Sequence, residues 1–474
     1  MKKAFLFSLF LFFIIGCNKD DDSTNATSNY VGDVWLRTQK EVEDFGKMGY
    51  SSVEGTICIG CVAENDIDDL SSLKNLRNVK TLEIQYNTVL TSLEGLDNLT
   101  DVDNLLISGN SLLNNIDIFD SLESFKTLEI INTRLLHINL ESLRTPEVPP
   151  SVTIIGNPIL ESINLNNLTH LFSLEFSRNR DLLNIQLEEL TKIEDNFTIE
   201  NCSKITSIAF NNLTELNGYS KIKQNPSLET FEANNLVKAE DLVIDENYQL
   251  TAIEFSNLSN LKSLTLRGSR VPVLNLESLQ NRAEPTSLFI KINYSLTDVN
   301  FGNMTIAKDV RFDDNQSLTN LDLGNLSKIE GSLYIVNSDL ISDINFENLT
   351  EVADMRISGN FNLETFIADN ITQVGVFEID GSNYDLTTIS MDNLGVVTDK
   401  LTIRDFGTNS NLTNLDGFTS LFSVEELIIF NNDHLKDFCG ITNLITNGNV
   451  GAYDVSYNGY NPTQQDIIDG NCSI

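Results

Sequence analysis

Leu82-Glu83-Ile84-Gln85-Tyr86-Asn87, with Leu90 and Leu93 beyond it, is one copy of a segment that recurs along most of the chain. Its strand-start residue returns at Leu105, Leu128, Val152, Leu174 and Phe197, and so on to Leu427, at a mean interval of 23 residues. The consensus, L-x-I-x-x-N-x-x-L-x-x-I-x-F-x-N-L-x-x-I, alternates apolar and polar residues in two places per copy. Leu242-Val243-Ile244 and Ile253-Glu254-Phe255 show both. Period-two alternation is the pattern of a strand with one buried face. No interval holds ten residues at helical spacing, so each copy is expected to be a coil of short strands and turns. A single coil of this length cannot bury its own apolar side chains, and stacking its neighbours does so. The fold class expected is therefore all-β: a parallel β-solenoid of about 16 leucine-rich coils of about 23 residues, closed by short helical caps.

Stacking turns equal positions into columns. The Asn column reads Asn87, Asn110, Asn157, Asn179, Asn225, Asn247, Asn293, Asn315, Asn360 and Asn432, with Thr133, Ser269, Ser338 and Ser382 as smaller polar substitutes. An inward Asn at a bend can hydrogen-bond backbone groups of its own coil and of the next. Cys202 stands in the same column and is read as structural. Phe406 breaks the column where the interval stretches to 26 residues, so a bulge is expected near Gly407 to Asn411. Leu-Asn-Leu-Glu-Ser-Leu ends at Leu143 and again at Leu279, and each copy is followed by a Pro-containing insertion (Pro149, Pro285), which points to a duplicated block of six coils.

This pattern resembles the leucine-rich repeat superfamily, and more closely the receptor L-domain, over roughly residues 50 to 445. Leu stands three residues after Asn, as in Asn87 to Leu90, where standard leucine-rich repeats place it two after. The resemblance implies a right-handed solenoid and a ligand-binding surface. Fold alone does not name a ligand.

The remaining organisation is read from the ends. Lys2 and Lys3 precede an apolar run from Ala4 to Ile15, then Gly16-Cys17. The run is too short to span a bilayer and has the order of an export signal. It resembles a lipobox, which implies cleavage before Cys17 and lipid attachment there. The divisions expected are 1–16 signal peptide, 17–30 acidic tether, 31–56 N-terminal cap, 57–445 solenoid and 446–474 C-terminal cap. The tether from Cys17 to Tyr30 reaches about 40 Å if extended, and Asp20-Asp21-Asp22 resembles the signal that sends lipoproteins to a bacterial outer-membrane surface. Thr38 with Glu41 matches a capping box for a short helix ending near Gly46, and Asn461-Pro462-Thr463 opens another running to Gly470.

The chain has 31 Lys+Arg against 68 Asp+Glu, a net charge of −37, so general nucleic-acid binding is not expected. Its 41% hydrophobic fraction is that of a globular protein. His137, His170 and His434 stand far apart and carry no hydrolase or metalloprotease motif. No cofactor and no metal site is expected. Cys58-Ile59-Gly60-Cys61 has half the pattern of a zinc or redox motif; a local disulfide or two free thiols both fit it. Cys439 and Cys472 bracket the C-terminal cap and are a candidate disulfide.

The candidate binding residues lie on one face. Outward positions of the early strands carry Glu83, Glu129, Glu175 and Glu200. Later ones carry Lys221, Lys223, Arg267, Lys291, Arg311, Arg356 and Arg404 against Asp245, Asp313, Glu378 and Asp380. Arg267, Arg311 and Arg356, spaced by two coils, are expected on one line about 10 Å apart, with Asp313 and Glu378 as compensators. Two uses fit: cross-strand salt bridges, or a binding face for an acidic glycan or protein. The function expected is a lipid-anchored surface protein that binds a protein or glycan without catalysis. The alternative is a β-helix polysaccharide lyase or hydrolase, which the even coil lengths disfavour by leaving no room for catalytic loops.

Overall fold

The computed structural model describes residues 28–116, 121–143, 145–405 and 411–474. Cys17, the expected signal peptide, most of the expected tether, Phe406 and residues 407–410 of the expected bulge lie outside the described residues.

Each coil contributes one long strand to a 22-stranded parallel sheet, and many contribute a three-residue strand to smaller sheets on another side. The long strands are in register from coil to coil: Leu82 pairs with Leu105, Leu105 with Leu128, and Leu264 with Leu288. Short strands such as Ser207–Ala209, Thr230–Glu232 and Ala252–Glu254 pair likewise. The two alternating segments of the consensus thus form the two strand layers, with Leu and Ile of both pointing inward. Leu82, Ile84, Leu90 and Leu93 are all fully buried. Phe197, Phe210, Phe231 and Phe255 extend through the core edge-to-face, with centroids 5.4 to 6.4 Å apart, the arrangement the ring quadrupole favours.

The solenoid has about 18 coils, two more than the sequence count. The additional strands are Ser52–Gly60 at the start and Asn449–Ser456 at the end. Both depart from the consensus, because each has a cap on one side in place of another coil. At the start, the helix Gln39–Gly46 begins with Thr38 Oγ1 accepting from the Glu41 N–H, and it buries Val42 and Phe45. At the far end lie the helices Thr442–Asn447 and Gln464–Ile468, the latter opened by a capping box between Thr463 and Asp466. Cys439 and Cys472 are joined by a disulfide, Cα to Cα 5.0 Å.

The Asn column is the seam between coils. Asn247 Oδ1 accepts from the Asn225 backbone N–H at 3.0 Å, and its Nδ2 donates to Ile222 O at 2.8 Å and Asp245 O at 3.1 Å. One side chain therefore satisfies groups in two successive coils, its own and the one before it, that would otherwise be buried without partners. The same pattern joins Asn87 to Asn110, Asn157 to Asn179, Asn293 to Asn315 and Asn432 to Asn458. Asn383 takes the position assigned above to Ser382: Asn383 Oδ1 accepts from Asn360 N at 2.9 Å. The coil is one residue longer there, with Gly381 in the left-handed region at φ +76°.

The residue before the column is left-handed in most coils, as at Tyr86, Arg178, Gln224 and Glu246, with Gly at 109, 156, 268 and 359. This bend turns the chain from the long strand into the corner.

Candidate functional site

In the strand Asn260–Arg267, Leu264 and Leu266 point inward, so Thr265 and Arg267 stand on the outer face of the long sheet. Every coil thus offers two outward columns. Register places Thr198, Lys221, Val243, Thr265, Phe289, Arg311, Tyr334, Arg356 and Glu378 in the first. Glu200, Lys223, Asp245, Arg267, Lys291 and Asp313 fall in the second. The expected line of Arg267, Arg311 and Arg356 does not exist. Arg267 follows its strand-start Leu264 by three residues, whereas Arg311 and Arg356 follow Val310 and Met355 by one. Lys221, Arg311 and Arg356 share one column; Lys223, Arg267 and Lys291 share the other.

The face is also not a bare basic stripe. Lys221 pairs with Glu200 at 2.7 Å and Lys223 with Asp245 at 2.9 Å. Arg267 binds both Asp245 at 3.0 Å and Glu246 at 2.9 Å, and Lys291 pairs with Asp313 at 2.9 Å. Arg356 and Arg404 converge on Asp380, at 3.1 and 3.6 Å, and bury it to 3% exposure although it stands at an outward position. Glu378, expected as a compensator of the arginines, instead pairs with Lys400 at 2.5 Å. These contacts shift the cations in the direction of their partners. The hydrogen bond to Asp245 raises the Lys223 pKa, and that to Glu378 raises Lys400. Half-exposed pairs of this kind contribute little each, but in series they hold long side chains in one arrangement.

Arg311 differs. Among the described residues it alone of the seven basic candidates has no carboxylate within ion-pair distance. Its guanidinium lies 4.6 Å from the Tyr334 ring centroid and 5.8 Å from that of Phe289, the neighbours on either side in its column. Nε and Nη2 both donate to Ser332 Oγ, at 3.2 and 2.8 Å. Ser332 in turn donates, from its backbone N–H and its hydroxyl, to Asp309 Oδ1. Partial burial acts to raise the Asp309 pKa; the two Ser332 bonds and the Arg311 charge outweigh it and hold the carboxyl below its ordinary value. The result is a guanidinium held by Ser332 over the Tyr334 ring and near the Phe289 ring, a cation–π contact on both sides.

The other residues singled out by sequence are scattered. His137 meets Ser162 Oγ at 2.9 Å and His170 meets Glu194 at 2.8 Å, in different coils. Cys202 is buried and packed in the Asn column, and burial pushes its thiol up to about 12. Cys58 and Cys61 are joined as a disulfide. An open groove of about 600 Å³ follows the bends of the strands Lys328–Val336, Glu351–Ser358 and Gln373–Asp380, lined by Lys328, Glu330, Glu351 and Asp354.

A second ladder escaped sequence reasoning. The N-x-S/T triplets written by the repeat are its rungs: Asn348 Nδ2 donates to Gly324 O at 2.8 Å, and Thr350 Oγ1 to Ser327 O at 3.0 Å. Asn98 and Thr100 do the same with Lys74 O and Arg77 O. The signal was the recurrence of the triplet at the coil interval.

These features define a leucine-rich parallel β-solenoid with a rigid, charge-paired sheet face. No protein-family profile and no curated protein matches the chain. Among solved structures it is similar to the functional domain of InlJ from Listeria monocytogenes, which includes a cysteine ladder. Identity is 18%, covering 81% of this chain and 70% of that one, with a TM-score of 0.21. The fold stated here stands on the strand register of this chain itself. No helix among the described residues is long and apolar enough to cross a membrane.

Proposed function

We propose that the chain is a non-enzymatic binding protein, displayed at a bacterial surface by lipid on Cys17, and that its ligand, a protein or a glycan, docks on the outer face of the long sheet around Arg311. The observation that carries this reading is the Arg311 site. A guanidinium held between Phe289 and Tyr334, without a carboxylate partner, has lost its side-chain freedom before any ligand arrives, and it still has donors to give. Arg and Tyr are the residues on which binding energy concentrates, and prior ordering lowers the cost of association. The flanking ion pairs keep the rest of the face flat and nearly neutral. The ligand group at Arg311 is then an acceptor, a carboxylate or sulfate, set in a surface that is otherwise not strongly charged.

The test uses the soluble chain from Ser28 onward against arrays of neutral, uronate-containing and sulfated glycans and of acidic proteins. Arg311→Ser combined with Tyr334→Ala should lower binding at least tenfold, and wild-type binding should weaken as salt rises. Lys262→Ser, which removes a partly exposed cation paired with Asp241 away from the Arg311 site, should bind as wild type does. Equal binding by the Arg311/Tyr334 variant would move the ligand off this face. The anchor is tested separately: Cys17→Ser should shift the full chain from the membrane fraction to a soluble or unprocessed form.

A further inference from the structure

We propose that Cys58, Cys61 and Glu83 form a seat for a thiophilic divalent cation such as Zn²⁺, closed when the two cysteines are oxidised and open when they are reduced. The strand Ser52–Gly60 turns Ile57 and Ile59 inward and Cys58 outward, yet Cys58 is only 2% exposed. Gly60 at φ +83° and Cys61 at φ +58° fold the chain back on itself. The two Cα atoms come within 6.1 Å, and the sulfurs face each other. A Cβ on residue 60 would lie 2.2 Å from Gln85 O, so the return bend requires glycine. The Cys61 N–H donates to the same carbonyl at 2.8 Å, fixing the bend to the next coil.

That next coil supplies the third donor. Glu83 is in register with Cys58, and its Oε2 lies 3.6 Å from Cys58 Sγ. The two sulfurs and a carboxylate oxygen all lie within 4.8 Å of one another. Tetrahedral zinc holds sulfur at about 2.3 Å and oxygen at about 2.0–2.2 Å, so small side-chain shifts bring all three into its sphere. Gln85 Nε2 donates to Glu83 Oε2 at 2.7 Å and orients the carboxylate from outside that sphere. Cys61 is partly exposed, which leaves the fourth position to water. Closing a loop of two intervening residues restrains the unfolded chain less than a long cross-link does. Stapling is therefore a weak reason for placing two sulfurs against a carboxylate.

The redox step balances with a dithiol as reductant. Its two thiols give two electrons and two protons to the Cys58–Cys61 bond and leave as their own disulfide. The cation then displaces the two thiol protons to solvent, binding two thiolates and the Glu83 carboxylate. Bound charge falls from −3 on the ligands to −1 on the complex, a favourable change in a chain of net −37.

The chain contains a single tryptophan, Trp35, in register with Cys58 on the neighbouring strand and 50% exposed. It reports on the site. The experiment compares oxidised and phosphine-reduced protein, wild type and Cys58→Ser, under exclusion of oxygen. Zn²⁺ uptake is titrated against a chromophoric chelator, and Co²⁺ is followed by thiolate charge-transfer absorption and by quenching of Trp35. Reduced wild type should take up one equivalent more than reduced Cys58→Ser, with cobalt quenching Trp35, and the oxidised chain should lack that equivalent. Glu83→Gln should weaken it at least tenfold, and Gln85→Leu by about 10–100-fold. The difference between wild type and Cys58→Ser cancels any contribution from Cys439 and Cys472, and circular dichroism checks that each chain is folded. No difference in stoichiometry, or uptake without change at Trp35, would leave Cys58–Cys61 as a plain disulfide and overturn the proposal.

Discussion

Asn247→Leu removes one rung from the middle of the column while nearly keeping side-chain volume. The wild-type amide makes four hydrogen bonds. Oδ1 accepts from Asn225 N and Nδ2, at 3.0 and 3.3 Å, and Nδ2 donates to Ile222 O and Asp245 O, at 2.8 and 3.1 Å. The losses are unequal. Asp245 O keeps the Gln224 N–H at 3.0 Å, and Asn225 Nδ2 keeps Ile199 O at 3.0 Å. The Asn225 backbone N–H keeps nothing, and a buried orphan donor costs about 1–3 kcal/mol. The other three bonds are worth about 0.5–1 kcal/mol each in net terms, so the change should destabilise by about 3–5 kcal/mol. A long repeat array does not unfold in one step, so the assay must resolve coils. Hydrogen exchange of the strands Glu215–Lys223 and Lys238–Asp245, read beside urea unfolding, should show faster opening there than in the strands Asn78–Gln85 or Ser423–Phe430. A change below about 0.5 kcal/mol, or exchange raised evenly along the chain, would refute the seam role of the column.

Cys202→Asn should stabilise by about 0.5–1.5 kcal/mol, because the Asn179 backbone N–H meets only the weakly accepting Cys202 sulfur where Asn would supply Oδ1; unchanged urea unfolding would count against this. Asp309, held below its ordinary value of 3.8, contributes stability above that value and loses it as pH falls through the lower, folded-state value. The stability gap between wild type and Asp309→Ala should therefore be full at neutral pH and close in acid, and a gap constant with pH would contradict the Ser332 and Arg311 contacts. Asn348→Ala removes one bond of the exposed ladder and should cost about 0.5–1 kcal/mol, well below Asn247→Leu; equal costs would mean the two ladders are not buried and exposed as described.

The fold was legible because its cause is local and repeated. Leu82 and Ile84 mark an inward strand face, Asn87 marks the bend, and the interval fixes the stacking. The two terminal coils escaped because caps replace half of their neighbours, so Ser52–Gly60 and Asn449–Ser456 need not follow the consensus. The candidate face was legible as a list of outward residues but not as a pattern of neighbours. Counting coil intervals aligned Arg267 with Arg311; counting from each strand start, Leu264 and Val310, separates them by two positions. Glu246 could not be seen as a partner of Arg267 without the left-handed bend that brings it to the face. The column residue of that coil is Asn383 and not Ser382, because Ser382 is inserted between the left-handed bend at Gly381 and the column. Glu83 came to Cys58 only through cross-strand register, which apolar alternation alone does not supply.

Everything here depends on one continuous parallel stack, and a distance measures it. Lys80 and Lys308 are exposed and hold the same position, two residues before Leu82 and Val310. Ten strand-to-strand steps separate their coils, about 48 Å at about 4.8 Å per step. Spin labels on cysteines at these positions, in a chain whose native disulfides stay oxidised, should give a single narrow pulsed-resonance distance between about 43 and 52 Å, the range allowing for curvature of the stack. A broad distribution, or a distance well outside that range, would contradict the single solenoid.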